Sequence, residues 1–408
     1  MLREKNKYII IFLIYLSAQN FFNPFGIVPP QVGKALFYIF SLIGLYFAFK
    51  SKVKLNRIKY PRKAYKLLIM GICVSIAMGS LFHDQSFMVT MITTLPYLFA
   101  YLFFFILMKL QVDKALVEKS LKILVICSLV MYLANLAVFP NKIFGESQEE
   151  YDMSRGFARL GVPMILIVVI YLFYSINEWM ITRRRKWLFW IGITLVLIVM
   201  SLTRQIILFS LVFGLLFVLK RARISIRFGV VLLSVIFYYF VLPQIPVYKT
   251  MMELSEEQAE KNKYEKEDIR ITAWRFYTTE NQTNSVTPFL GNGIPSEGNS
   301  VWGIKHMKTI YYEYGGNGCF TVDVGWAGFY WYFGLFATMA LITLLIKALI
   351  RKKPDKESYL SYGILFILIT SITSGQILFY SQIVGLCLIL YLIYGHNKIY
   401  SRNNSQLQ

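Results

Sequence analysis

The chain has 408 residues, of which 56% are hydrophobic, and its formal net charge is +21 at pH 7. The hydrophobic residues form long runs, and about 20 apolar residues suffice to cross a ~30 Å hydrocarbon core. This composition excludes an ordinary soluble domain and indicates an all-α polytopic membrane protein. The basic residues are dispersed over short loops, so we expect contact with the lipid bilayer and not with nucleic acid.

Hydropathy predicts about 12 transmembrane helices in a single integral membrane domain, residues 1–408. The four cysteines, Cys73, Cys127, Cys319 and Cys387, predict no disulfide framework or metal-ligand cluster, and no cofactor is expected. In chain order the predicted spans are 8–24, 32–49, 67–82, 88–108, 123–139, 161–178, 187–203, 205–219, 228–247, 325–349, 359–374 and 377–394.

The loops between these spans alternate between rich and poor in Lys and Arg. With a cytoplasmic N-terminus, the cytoplasmic segments hold 30 of the 43 Lys and Arg and only 6 of the 22 Asp and Glu. The net charge is then +24 on that side and −3 on the other. This bias satisfies the positive-inside rule, so we expect both termini in the cytoplasm.

A large external loop, residues 248–324, separates predicted spans 9 and 10. A structureless connection of that length is improbable, so the loop is expected to fold and to have a function. Residues 249–279 have helical composition with charges spaced by four, such as Lys261 and Glu265, and the loop is therefore partly helical. Residues 285–321 are rich in Gly, Asn and Ser and predict irregular coil. The alternative is a solvated cap without chemistry.

Arginines on the external side are the candidate ligands of a phosphate group. Arg204 lies in the short turn between predicted spans 7 and 8, and Arg270 and Arg275 lie on the predicted loop helix. Arg155 and Arg159 precede the sixth span and complete the set. Because a guanidinium binds phosphate oxygens in pairs, several such groups suggest a diphosphate. The alternatives are a snorkelling role for Arg204 and ion pairs with neighbouring carboxylates for Arg155 and Arg159.

Helical spacing divides the roles of the two loop-helix arginines. Arg270 shares a face with Trp274 and Tyr277, which predicts a glycan-lining surface made of a cation and two aromatic rings. Arg275 is five positions from Arg270, or about 140° around the helix, so we expect it to be structural unless the helix bends.

Two residues are candidates for a general base. Asp323 stands where the loop re-enters the membrane, and it is either a base that activates a hydroxyl group or a cap for the following helix. His306 is the only histidine of the loop and is either incidental or the proton acceptor.

Three motifs follow one another on the external side: Arg270-Ile-Thr-Ala-Trp274, Thr287-Pro-Phe-Leu-Gly-Asn-Gly293 and Asp323-Val-Gly-Trp-Ala-Gly-Phe-Tyr-Trp-Tyr-Phe-Gly334. Their order resembles the O-antigen polymerase and ligase (Wzy-type) superfamily. The resemblance implies an enzyme of the bacterial cytoplasmic (inner) membrane that transfers an undecaprenyl-diphosphate-linked glycan to an acceptor sugar. It also implies a chain-length regulator as a partner. The diphosphate contacts that it implies come from Arg204, Arg270 and Arg159.

The ligase branch of that family carries a His just before the re-entering span, whereas this chain has Thr321-Val-Asp323 there. This difference favours a polymerase of polysaccharide repeat units over an O-antigen ligase. A lipid-linked oligosaccharide flippase is the alternative from another class, but it would be expected to carry cations inside its spans.

Overall fold

The computed structural model describes residues 4–22, 29–55, 59–139, 143–144, 161–221, 268–282, 284–313 and 319–395, together with a few isolated positions between 229 and 256. The ninth predicted span, 228–247, lies outside these continuous ranges. So do Arg155, Arg159 and most of residues 249–267, the first part of the predicted helical segment 249–279.

Every regular element in the described ranges is helical. Each predicted span other than the ninth coincides with one helix, although the ends differ by several residues. The helices are α1 Glu4–Ala18, α2 Pro30–Lys50, α3 Arg62–Phe82, α4 Phe87–Leu110, α5 Lys114–Ala137, α6 Ile165–Thr182, α7 Lys186–Met200, α8 Arg204–Arg221, α9 Ile269–Arg275, α10 Thr287–Leu290, α11 Val301–Lys308, α12 Gly325–Ile350, α13 Tyr359–Thr370 and α14 Tyr380–Tyr394.

Six of these helices are long and apolar enough to cross a membrane, which is consistent with a membrane protein. They are α2 to α6 and α12, and each has a stretch of high mean hydropathy with few charges. Polar residues mark the starts of two of them: Ser86 caps α4 by accepting from the Val89 amide, and Asp113 caps α5 by accepting from the Ala115 amide. These caps satisfy amide groups that have no partner inside the helix.

The helix ends collect at two ends of the bundle. At the first, here called the basic end, Lys114 pairs with Glu357 at 3.4 Å, and the Arg351 guanidinium donates to the carbonyl oxygen of Lys59 at 2.7 Å. At the second, here called the loop end, Gln19 donates to the carbonyl oxygen of Ser381 at 2.7 Å. The grouping of helix ends is the one that the alternation of basic loops predicts.

Small residues allow the central helices to approach closely. Helix α12 packs most extensively against α3, and α14 packs along α4. A methyl group on Gly71 of α3 would lie only 2.7 Å from the Cβ of Ala337 on α12. Close contact of this kind is how helices associate in a membrane, where lipid tails are as apolar as the side chains.

Two predictions about the loop end are wrong in detail. The segment 285–321 is not irregular throughout, because it contains α10 and α11, and the Ser300 hydroxyl caps α11 by accepting from the Gly303 amide. The predicted spans 359–374 and 377–394 leave a two-residue turn, whereas α13 ends at Thr370 and α14 begins at Tyr380. The connection 371–379 is therefore a longer irregular segment.

Candidate functional site

The connection 371–379 joins two short helices at the loop end, and together with the segments that cover it is here called the recess. Helix α13 has 12 residues and α14 has 15, so at 1.5 Å per residue they are about 18 Å and 23 Å long, shorter than a ~30 Å hydrocarbon core. Ile377 and Leu378 are fully buried. Irregular backbone at this depth is tolerated only where protein covers it or where it borders a polar cavity.

Three separate segments cover the connection 371–379. The side chain of Gln205, at the start of α8, donates to the carbonyl oxygen of Thr370 at 2.9 Å and also contacts Thr373 Oγ1. The indole of Trp274 on α9 donates to the carbonyl oxygen of Ile372 at 2.9 Å. The Trp326 amide, one turn after the short 3-10 helix Thr321–Asp323, donates to the carbonyl oxygen of Ser371 at 3.0 Å.

These contacts bring several predicted site residues to one place. Arg204 is the first residue of α8, next to Gln205, and is half-buried. Asp323 ends the 3-10 helix and is also half-buried. Arg270 lies one helical turn before Trp274 and is exposed. The structure therefore brings the segments that carry Arg204, Trp274 and Asp323 to a single connection, although these segments are far apart in the sequence. Arg270 lies on the same helix as Trp274.

Asp323 does not hold the capping position of α12. That position belongs to Val324, whose side chain makes no capping hydrogen bond. The Asp323 carboxylate stands one residue earlier, in the 3-10 helix that contacts α9.

Arg275 forms an ion pair. Its Nε donates to Glu280 Oε1 at 2.7 Å, and both side chains are exposed. This ion pair spans the segment Phe276–Glu280, where α9 continues as a π-helix. We therefore assign a structural role to Arg275.

Tyr277 does not lie on the surface where a glycan-lining role would place it. Its side chain is fully buried, and its hydroxyl donates to the carbonyl oxygen of Cys319 at 2.6 Å. Burial raises the pKa of Tyr277 well above its usual value. The widened turn at Phe276–Glu280 rotates the chain, so the helical face predicted for Arg270, Trp274 and Tyr277 does not persist as far as Tyr277.

His306 is buried in an aromatic cluster. Its ring stacks on Trp331 with centroids 4.7 Å apart, and Asn281 Nδ2 lies 3.5 Å from its Nδ1. Burial and, to a smaller extent, the neighbouring His83 lower the pKa of His306 to about 4. An imidazole with so low a pKa is a weak proton acceptor, which favours a packing role.

The residues Thr287–Ile294, here called the Gly-rich segment, dock onto a break in α12. Gly334 has φ +78°, so the helix is interrupted there and nearby carbonyl groups lose their helical partners. The amides of Asn292 and Gly293 donate to the carbonyl oxygens of Trp331 and Tyr332 at 2.9 and 3.1 Å. Inside a membrane protein, a break of this kind is stable where another segment satisfies the freed groups.

Sequence reasoning missed a second group of polar residues at the loop end. His83, just after α3, contacts Asn292 Oδ1 at 3.0 Å and stacks on Trp302 at 4.0 Å. Gln85 donates to the carbonyl oxygen of Ile294 and accepts from the Ser300 hydroxyl. In the sequence, these residues are visible only as the polar run His83-Asp-Gln-Ser86 between two apolar spans. Nothing in that run indicates a contact with residues two hundred positions later.

The connection 371–379 also carries polar atoms that the prediction overlooked. Ser371 Oγ and Gln376 Oε1 are buried and make no hydrogen bond to any residue that the structure describes. Leaving a buried polar atom unsatisfied costs about 1–3 kcal/mol, so these atoms are candidates to bind a polar ligand. The run Thr370-Ser-Ile-Thr-Ser-Gly-Gln376 is the corresponding sequence signal.

Within the described ranges, no group of three or more His, Cys, Asp or Glu side chains is arranged to hold a metal ion. The groups gathered at the recess are two arginines, one carboxylate, an indole and uncharged hydrogen-bonding side chains. This combination can bind an anion through the arginines and a hydroxyl-rich molecule through the indole and the amides. In the comparisons with known proteins, no family model matches the chain, and no curated protein matches it significantly.

Proposed function

We propose that the protein is a membrane glycosyltransferase that polymerises repeat units of a bacterial surface polysaccharide, such as an O-antigen or a capsule. It transfers an undecaprenyl-diphosphate-linked glycan to the hydroxyl group of an acceptor sugar on the outer face of the cytoplasmic membrane. The observation that carries the proposal is that the segments bearing Arg204, Arg270 and Asp323 meet at the connection 371–379. The resemblance of the three external motifs to the Wzy-type family supports it.

The shortness of α13 and α14 suits a lipid-linked donor. The diphosphate of such a donor lies at the membrane surface while its isoprenoid tail remains in the hydrocarbon layer. In this proposal the connection 371–379, between the short helices α13 and α14, lies below that surface, and Arg204 and Arg270 lie on the segments around it. A donor can therefore present its diphosphate to these arginines without leaving the bilayer.

The protein has two roles in this reaction: it stabilises the leaving group and removes a proton from the acceptor. The acceptor oxygen attacks the anomeric carbon, and the bond from that carbon to the diphosphate oxygen breaks. Arg204 and Arg270 stabilise the negative charge that develops on the departing diphosphate. The carboxylate of Asp323 takes the proton from the acceptor hydroxyl. The outcome expected is inversion at the anomeric carbon.

The remaining groups at the recess orient the sugars. The indole of Trp274 offers a flat apolar face, which suits the carbon-bound hydrogens of a pyranose ring, and Ser371 and Gln376 can hydrogen-bond hydroxyl groups. Tyr277 is buried in the aromatic cluster against which Trp274 packs, so it does not touch the glycan.

The test uses purified protein with lipid-linked repeat units and measures polymer ladders. We expect Arg204→Ala and Arg270→Ala each to lower the rate roughly a hundredfold, since losing ~3 kcal/mol of transition-state stabilisation has that effect. Arg→Lys at either position should rescue poorly, because a point charge cannot make the paired contact. Arg275→Ala is the matched control, since that arginine lies on the same helix and pairs with Glu280.

Full-length polymer in both Ala variants would overturn the diphosphate role of the arginines. Transfer of the glycan to a lipid A core, with no polymer, would identify the ligase instead. Movement of lipid-linked units across vesicle membranes with no glycosidic bond formed would identify the flippase.

A further inference from the structure

A groove at the basic end, remote from the recess, is lined by both cations and apolar side chains. It has a volume of about 390 Å³ and lies between the start of α3 and the final turns of α4. Arg62 and Lys66 of α3 lie on its wall, together with Tyr60 from the preceding loop. Neither the proposed reaction nor any loop-end contact uses these residues.

The lining of the groove changes character along α3. Arg62, Lys66, Ile69 and Met70 follow the spacing of one helical face, so the two cations stand nearest the helix start and the two apolar residues follow within about 12 Å. Phe105 of α4 faces the same groove at this apolar level. A groove that is cationic at one end and apolar along its length is complementary to a molecule with an anionic head and a hydrocarbon tail.

The groove is preformed. The Arg62 guanidinium donates to the carbonyl oxygen of Leu55 at 2.7 Å and lies over the Tyr60 ring at 5.7 Å. Tyr60, Tyr65 and Phe104 pack edge to face, with centroids between 5.3 and 6.4 Å apart. Binding therefore requires little ordering of the wall, which lowers the entropic cost.

The charge around the groove has one sign. The segment 50–66 contains eight Lys and Arg and no Asp or Glu. Pro61, at the capping position of α3, offers no side-chain acceptor to the first amides of the helix, so the positive end of the helix dipole adds to the cations. Met70 is 57% exposed, so the apolar part of the groove opens sideways, towards the position of lipid chains. Basic pockets between membrane helices characteristically bind anionic headgroups.

We infer that this groove binds one anionic phospholipid of the bilayer, with its phosphate between Arg62 and Lys66 and one acyl chain along Ile69, Met70 and Phe105. The site is independent of the proposed reaction, since its residues lie at the opposite end of the bundle. A bound lipid would brace α3 against α4, and α3 is the helix on which α12 packs.

The experiment is a lipid titration of the full chain in detergent, followed by native mass spectrometry and thermal unfolding. Phosphatidylglycerol and phosphatidylcholine with identical acyl chains are compared, and glycerol phosphate is added as a headgroup without chains. We expect one phosphatidylglycerol to be retained per chain and the melting temperature to rise, with little response to the other two compounds.

Two variants locate the site. Lys66→Glu reverses an exposed charge and should weaken phosphatidylglycerol binding about tenfold, or 1.4 kcal/mol. Met70→Trp fills the apolar part of the groove and should weaken binding while leaving the charge unchanged. Lys119→Glu is the matched control, because Lys119 is also an exposed lysine in the second turn of a helix at the basic end.

Three results would overturn the inference. They are equal binding of phosphatidylcholine, an equal loss of binding in Lys119→Glu, and binding of glycerol phosphate as tight as that of the complete lipid. The first would show that charge does not select the ligand, the second that any surface lysine suffices, and the third that the acyl chain contributes nothing. None of them depends on whether the protein polymerises glycans.

Discussion

At the scale of single residues, the sharpest distinction is between Asp323 and His306 as the proton acceptor. Asp323 is half-buried beside the connection 371–379, whereas His306 is buried against Trp331 with a pKa lowered to about 4. We expect Asp323→Asn to remove polymerising activity with the fold intact, because the amide has nearly the same shape but cannot take a proton. Polymer ladders and melting temperatures of the purified variants measure the two effects separately.

His306→Gln is the companion to that variant. It should retain activity, because the imidazole acts in packing. If His306→Gln is inactive and Asp323→Asn is active, the proton acceptor is His306 and the assignment is reversed.

Burial of His306 also makes stability depend on pH. Its pKa is lowered from 6.5 to about 4 in the folded protein, so the unfolded chain binds a proton between these values and the folded chain does not. Stability is therefore greatest above pH 6.5 and falls as the pH is lowered towards 4, by as much as ~3 kcal/mol from this one group. We expect the melting temperature of His306→Gln to fall less steeply than that of the wild type between pH 7 and pH 4.5. Parallel slopes would contradict this account.

At the scale of elements, the break in α12 and the Gly-rich segment support each other. A Cβ atom at Gly334 would lie 2.3 Å from the carbonyl oxygen of Phe289, and the φ of +78° is unfavourable for any other residue. We expect Gly334→Ala to destabilise the protein by more than the ~1–3 kcal/mol of backbone strain, because the Gly-rich segment must also move. Thermal unfolding measures this loss, and limited proteolysis should cut the loop end faster.

Gly192→Ala is the matched control for Gly334→Ala. Gly192 lies within α7, and no heavy atom is within 4 Å of the position of an added Cβ. Alanine favours a helix by about 1 kcal/mol over glycine, so this variant should be neutral or slightly stabilised. Equal melting temperatures for the two variants would show that the Gly334 contact is unimportant.

At the scale of the whole molecule, the two ends of the bundle have opposite characters. The basic end holds the Lys- and Arg-rich loops, and the loop end holds the recess and the Gly-rich segment. We expect a reporter fused after Arg227 to behave as cytoplasmic and one inserted near Gly298 as external, because a charge of +24 against −3 strongly favours one orientation. Alkaline phosphatase and fluorescent-protein fusions make this measurement. A cytoplasmic Gly298 would contradict both the orientation and the proposed reaction.

The sequence by itself determined the helical membrane class, the approximate position of each long described helix and the grouping of helix ends. The length of an apolar run and the charge of a loop are local properties of the sequence. They determine helix length and the side of each loop through direct interaction with lipid and water, so no tertiary information is needed to predict these features. It also indicated Arg204, Arg270, Trp274 and Asp323 one by one. Their position around a single connection is a property of the folded chain.

The tertiary structure decided the rest. Tyr277 turns inward because α9 continues as a π-helix and the Tyr277 hydroxyl donates to the carbonyl oxygen of Cys319. Helix α11 forms where the composition of residues 285–321 predicts coil, because His306 and Trp302 pack on aromatic rings. The break at Gly334 exists because Asn292 and Gly293, some forty residues earlier in the chain, donate to the carbonyl oxygens it exposes. Each of these outcomes depends on a partner distant in sequence, whose contribution exceeds the weak local preference of the segment itself.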